Sequence, residues 1–266
     1  MADREIPPES AAMPNQARIY DYLLGGHNNL PVDREVADAL LALSPITRAT
    51  AVENRRFLGR AVRFLAAQGI HHFLDIGAGL PTQNNVHQIA QQTAADARVL
   101  YVDNDPFVVA HGQVLLTNDS NAAMAGGDLR QPAGILALPD VDRLLDLRQP
   151  VALLLLAVLY FISDDENPYD IVTQLRDALA PGSYLVISHA TSDTLPPGQV
   201  AEGTRIYNRA SGVTLRTRPQ IERFLEGLGL VEPGLVLVSH WRPDGRLPAS
   251  ADTPAMFGAV GQLRAG

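Results

Sequence analysis

The sequence predicts an α/β protein built on a doubly wound, mostly parallel sheet of seven strands, with a helical segment ahead of it. Three observations predict it. Residues 71–76 and 98–102 are short apolar runs that meet an acid at their ends, Asp75 and Asp103, with a helical pattern over 84–95 between them; two strands and a crossover helix make a βαβ unit. Residues 151–158 are almost wholly apolar, as a central strand covered on both faces must be. Last, strands and helices alternate from residue 71 to 188 and then close on two strands without a long helix between them, which predicts an antiparallel edge.

The elements follow in order. Residues 1–14 carry Pro, Glu and Ala without periodicity and read as a tail. Three helical stretches fill 15–69, read as a lid segment: 16–24 stops at Gly25-Gly26, 33–43 aligns Val36, Ala39, Leu40 and Leu43, and 49–68 carries Phe57, Leu58, Ala61, Phe64 and Leu65 on one stripe before Gly69. From 70 to 266 the sheet domain is expected. Its further helices are 106–116, 136–147, 168–180 and 218–227. Its further strands are 122–125, which ends at Gly126-Gly127-Asp128, then 184–188, 235–241 and 256–260. Residues 195–203 and 242–254 read as loops.

Composition narrows the partners. A net charge of −8 and a pI near 5.3 argue against gripping nucleic acid through its phosphates. The chain has no cysteine, so disulfides, thiolate metal sites and a cysteine nucleophile are excluded. No apolar run approaches the roughly 20 residues that span a bilayer, and the first residues lack the apolar core of a signal peptide, so a cytoplasmic protein with no membrane partner is expected. The lone histidines His87, His111 and His240 have no partner at metal-ligand spacing, and no metal is expected.

The chemistry gathers at strand ends, where ligands of open α/β sheets bind. In Asp75-x-Gly77-x-Gly79 the glycines let the backbone approach a ligand closely. A dinucleotide fingerprint would place glycine where this chain has Thr82, and a pyrophosphate against that turn would meet the Asp75 carboxylate. S-adenosylmethionine carries no phosphate; its ammonium and sulfonium suit an acid there. Asp103 can accept the hydroxyls of a ribose, with Asn104 beside the adenine. Asp105, just before Pro106, reads as a helix cap. Asp128 can accept the adenine amino group, with Leu129 against the ring.

These residues resemble class I S-adenosylmethionine-dependent methyltransferases, a Rossmann-like fold, over about residues 70–190. The wider chain resembles an actinobacterial S-adenosyl methyltransferase family formerly classed as a domain of unknown function. That likeness rests on the stretch Ala17 to Gly26 (ARIYDYLLGG), on Glu53-Asn54-Arg55, on Asp75 to Thr82 (DIGAGLPT) and on Tyr101 to Pro106 (YVDNDP). It implies the seven-stranded methyltransferase fold and S-adenosylmethionine as cofactor, and names no acceptor.

On the acceptor side, Tyr20, Tyr22, His27, Asn28 and Asn29 surround Gly25-Gly26, an arrangement suited to closing over a cofactor. Tyr22 and His27 are candidates to contact its methionine end or the acceptor. Arg55 is a candidate to bind a carboxylate. His189, at the exit of the fifth strand, is a candidate general base. Ala157 ends the fourth strand and joins the cofactor set; the turn it opens, Ala157 to Ile162 (AVLYFI), is apolar and lacks the amide acceptors that hold a planar amine in base and glutamine methylases. Methyl transfer to oxygen, nitrogen or carbon of a small molecule remains. Two alternatives stand beside it: a non-catalytic cofactor-binding module, and a nicotinamide-dependent oxidoreductase, which Asp75 and Thr82 disfavour.

Overall fold

A computed structural model describes residues 13–81, 85–245 and 255–264. Three helices come first: α1 (Gln16–Leu23), α2 (Pro31–Leu43) and α3 (Ile46–Ala67). The sheet domain then runs β1 (His72–Ile76), α4 (Val86–Thr93), β2 (Arg98–Asp103), α5 (Pro106–Leu115), β3 (Ala122–Gly126), α6 (Pro132–Leu136), α7 (Pro139–Leu144) and β4 (Val151–Leu156). It finishes with α8 (Pro168–Asp177), β5 (Tyr184–Ala190), α9 (Pro197–Tyr207), α10 (Arg218–Glu222), β6 (Gly229–Leu230), β7 (Val236–Leu237) and β8 (Met256–Gln262).

The sheet order is β3-β2-β1-β4-β5-β8-β6, with β7 also on β8. The first five strands are parallel and β8 is antiparallel to β5. β6 and β7 pair with opposite ends of β8, so together they occupy one interrupted edge position, and the sheet has seven positions across. Alternate side chains feed two cores. Phe73, Val99, Leu154 and Val186 pack under α3 and α4 with Phe57, Leu65 and Trp241, while Leu74, Leu100, Leu153 and Ile187 pack against α8 and α10. A third, smaller core joins the leading helices to α9 through Ile19, Val36, Leu40 and Ile206.

Four expectations change. Residues 195–203 read as a loop, yet most of them belong to α9, because Pro197 takes the first helical turn, where its missing N–H costs nothing. The helix expected over 136–147 is two short ones, since Pro139 holds Leu138 extended at ψ 135°. The strand expected over 235–241 keeps only Val236–Leu237. Beyond it Arg60 captures two carbonyls, Nε to Trp241 O at 2.8 Å and Nη2 to Val238 O at 2.5 Å, and draws the chain off the sheet to bury Trp241 beneath α3. The strand expected to reach 158 stops at Leu156. The proposed tail lies almost wholly outside the described residues, as does most of the loop read at 242–254. Among the described residues no helix is long and apolar enough to cross a membrane.

Candidate functional site

The parallel strands end together, and the glycine turn after β1 folds back onto the end of β2. Gly77 N and Ala78 N both donate to Val102 O, at 2.8 and 3.2 Å. Gly77 has φ +74°, and a Cβ there would meet Val158 Cγ2 at 2.4 Å, so only glycine fits. Asp103 completes the turn: Oδ2 accepts from Gly79 N at 2.8 Å and Oδ1 from Asp105 N at 3.0 Å. Asp105 caps α5, its Oδ1 accepting from Phe107 N and Val108 N, as its place before Pro106 predicts. Its other oxygen accepts from the Asn15 side chain, tying the start of α1 to this corner.

These elements enclose a cleft of about 340 Å³, within the range of small-molecule sites. Asp75 lies on its floor, 5% exposed, with no hydrogen bond among the described residues. Burial pushes this carboxyl up to about 7, against the pull of Arg55 and helped by the repulsion of Asp103. Burial likewise raises Asp103, though its backbone donors oppose the shift. Asn54, on α3, lines the same cleft. Its Nδ2 donates to Tyr20 Oη at 3.0 Å, and its buried Oδ1 has no partner among the described residues.

Asp75, Gly77, Gly79, Asp103, Asn104, Asp128, Leu129 and Ala157 all line this one cleft, as does Arg55. Asp128 Oδ1 accepts from Arg130 N at 2.9 Å and from Arg130 Nη1 at 3.3 Å, and its second oxygen has no bond among the described residues. Thr82 lies outside the described residues. Ala157 departs from an ordinary strand end, with φ +54°, and its N–H donates to Ser188 O and Ser188 Oγ.

Three of the acceptor-side candidates, Tyr22, His27 and His189, lie elsewhere. On α1 the residues spaced to share one face, Ala17, Tyr20, Asp21 and Leu24, reach the cleft, whereas Tyr22 points away and donates to Asp38 Oδ1 at 3.0 Å. His27 is exposed on a separate shallow hollow with Tyr22 and Arg48. Asn28 and Asn29 serve their own turn by donating to Asp21 Oδ2. His189 is fully buried beneath the turn after β4. Its Nδ1 donates to Ala190 O at 2.7 Å and its Nε2 accepts from Arg216 Nη1 at 2.9 Å, while burial lowers its affinity for protons to about 3. Both ring nitrogens are engaged, and His189 does not line the cleft.

Tyr160, Phe161 and Tyr207 also line the cleft and were not among the expected site residues. Tyr160 and Phe161 belong to the apolar turn already singled out, and their period does not reveal which way they face. Tyr207 lies on the helix read as a loop.

The whole-chain comparisons agree with this geometry. The model of a family described as S-adenosyl methyltransferase matches residues 5–264. A candidate methyltransferase from Thermobifida fusca is 40% identical over 99% of this chain and 100% of its own, with a TM-score of 0.93. A DUF574 family protein from Streptomyces avermitilis is also 40% identical, over 95% of this chain and 98% of its own, with a TM-score of 0.90. Human N-acetylserotonin methyltransferase, solved in complex with S-adenosylmethionine, shares the fold at 14% identity and a TM-score of 0.51, over 95% of this chain and 63% of its own. A comparison with curated proteins finds no match. The chain belongs to the S-adenosyl methyltransferase family, and its cofactor is S-adenosylmethionine.

Proposed function

We propose that the chain transfers a methyl group from S-adenosylmethionine to a small-molecule acceptor. When bound, that cofactor supplies an electrophilic methyl group on a sulfonium sulfur. The residues of the cleft fit it. Asp75 and the unpartnered Asn54 Oδ1 receive the ammonium, one as a charge and one as a hydrogen-bond acceptor. Asp103 receives the ribose hydroxyls through lone pairs its backbone donors leave free. Asn104, Asp128 and Leu129 edge the adenine. The backbone at Gly77 and Ala157 sets the width of the slot, and α1 and α3 exclude water from above it. With no acid–base pair converging on the cleft among the described residues, the rate comes from holding donor and nucleophile in line.

The observation that carries this reading is the buried, unbonded Asp75. A carboxylate held largely out of water is costly, and a cationic ligand relieves it, whereas a pyrophosphate at the same turn would be repelled. Calorimetry with S-adenosylhomocysteine and with NAD tests it on the wild type and on Asp103→Asn. S-adenosylhomocysteine is expected to bind, the variant to bind it roughly tenfold or more weakly, and NAD to show no heat. No binding of S-adenosylhomocysteine overturns the reading. Binding without methylated product across a broad acceptor screen would leave a cofactor-binding module in place of an enzyme.

A further inference from the structure

Next to the cofactor cleft, and separated from it by Tyr20, Tyr160 and Tyr207, lies a second cavity of about 130 Å³. It sits beyond the end of β5, between the leading helices and α9. Leu23, Leu40, Val200, Val213, Leu215 and Met256 are among its apolar lining, Thr47, Thr50, Thr191, Gln199 and Thr204 add uncharged polar groups, and no Asp, Glu, His, Lys or Arg lines it among the described residues. Its size is close to the dry apolar cavity of about 150 Å³ that takes up a benzene molecule. The three tyrosines that form the partition stay protonated at neutral pH, burial raising all three hydroxyls, and Tyr20 Oη is already engaged, donating to Ala51 O at 3.1 Å. Tyr160 and Phe161 lie with centroids 4.5 Å apart, and Phe161 and Tyr207 6.4 Å apart, so aromatic rings crowd the boundary between the two cavities.

Resting on the methyl-transfer reading above, we infer that this cavity holds the acceptor, and that the acceptor is an apolar, single-ring molecule presenting a pyridine-type nitrogen, with no hydrogen to lose, to the tyrosine partition. A hydroxyl or an N–H nucleophile must give up a proton, and the cavity offers no base to take it. A strongly basic amine arrives protonated and has no lone pair to offer. A pyridine-type nitrogen is uncharged at neutral pH and needs neither a base nor an acceptor to hold it. Its lone pair forms the N–CH3 bond as the S–CH3 bond breaks, the bonding pair stays on sulfur, and the positive charge passes from sulfur to nitrogen with no proton moved. Charge is relocated and not created, so an uncharged wall suffices. The surrounding rings then meet the new cation with their negative faces.

The test uses the full chain saturated with S-adenosylhomocysteine and two isosteric probes, N-methylpyridinium and toluene, titrated by ligand-observed NMR. Tyr207→Leu is expected to weaken N-methylpyridinium roughly threefold to thirtyfold and to leave toluene within about twofold, and Tyr207→Phe to restore the cation. Gly203→Leu, on the cavity side of α9, fills the space and is expected to abolish binding of both probes while S-adenosylhomocysteine still binds. With S-adenosylmethionine, mass spectrometry is expected to find N-methylpyridinium from pyridine and no anisole from phenol. Equal losses for both probes in Tyr207→Leu, retention of both in Gly203→Leu, or anisole as the product overturns this inference alone. Failure of S-adenosylhomocysteine to bind in the same samples overturns the methyl-transfer reading with it.

Discussion

Replacing Asp75 by asparagine should make the ligand-free protein more stable and less able to bind its cofactor. The carboxyl stands at 3.8 when solvated and about 7 in the fold, chiefly through burial. Below the lower value it is protonated whether the chain is folded or not, and its neutral form is fully compatible with the fold. As pH rises to the upper value, the unfolded chain ionises first, so this stability drains away until the folded carboxyl ionises too. At 1.36 kcal/mol per pH unit the whole interval from 3.8 to about 7 is worth ~4 kcal/mol. Asparagine does not titrate. The advantage of Asp75→Asn over the parent should therefore grow by ~3 kcal/mol between about pH 5 and pH 8, or roughly 6–12 °C in Tm for a chain this long. Urea titrations of both proteins, freed of ligand, at a series of pH values read the difference directly. The same variant should bind S-adenosylmethionine roughly tenfold to a hundredfold more weakly, since a charged partner is lost. Parallel stability curves across that range would refute the idea that Asp75 is a buried acid awaiting a cation.

Gly77→Ala forces a side chain into a left-handed backbone and to within 2.4 Å of Val158 Cγ2. It should cost roughly 2–5 kcal/mol by chemical denaturation and abolish cofactor binding by calorimetry. Arg216→Met removes a buried guanidinium that binds Leu159 O, Ile162 O, Asp164 Oδ1 and His189 Nε2 at 2.7–3.1 Å. It should lower the unfolding free energy by about 3–5 kcal/mol, because two carbonyls lose their donor indoors. His189→Gln should destabilise by roughly 1–3 kcal/mol and leave the pH profile of product formation unmoved; a displaced profile would return the base role to that ring.

The strand-end acids were legible because a parallel strand buried on both faces has no apolar reason to finish on aspartate. Asp75 and Asp103 each break such a run, Asp128 follows the glycine pair after the edge strand β3, and all three reach one cleft. Asp105 was legible as a cap from the proline after it. Less legible was anything decided by which way a short element turns. Tyr22 and His27 sit beside a glycine pair whose geometry is consumed by Asp21, and the helical spacing of Ala17, Tyr20 and Asp21 was the better guide to the face that matters. His189 follows Ser188 on a strand, so the two point to opposite sides; nothing local says that Arg216, distant in sequence, waits on the buried one. In α9, prolines that mark a helix start look, without tertiary context, like those that prevent a helix.

Ala157 merits a last consequence. A residue with a Cβ sits there at φ +54°, a basin that disfavours it by roughly 1–2 kcal/mol, and Ser188 on the neighbouring strand restrains it through two bonds to one N–H. That corner governs how sharply the chain doubles back, and so how far Tyr160 and Phe161 stand from the glycine turn. The distance between the two halves of the reaction chamber is thus adjusted from β5, by a serine that touches neither. Ser188→Ala would remove one of the two bonds to that N–H, leaving the backbone carbonyl alone to hold the corner, without altering any group that meets a ligand.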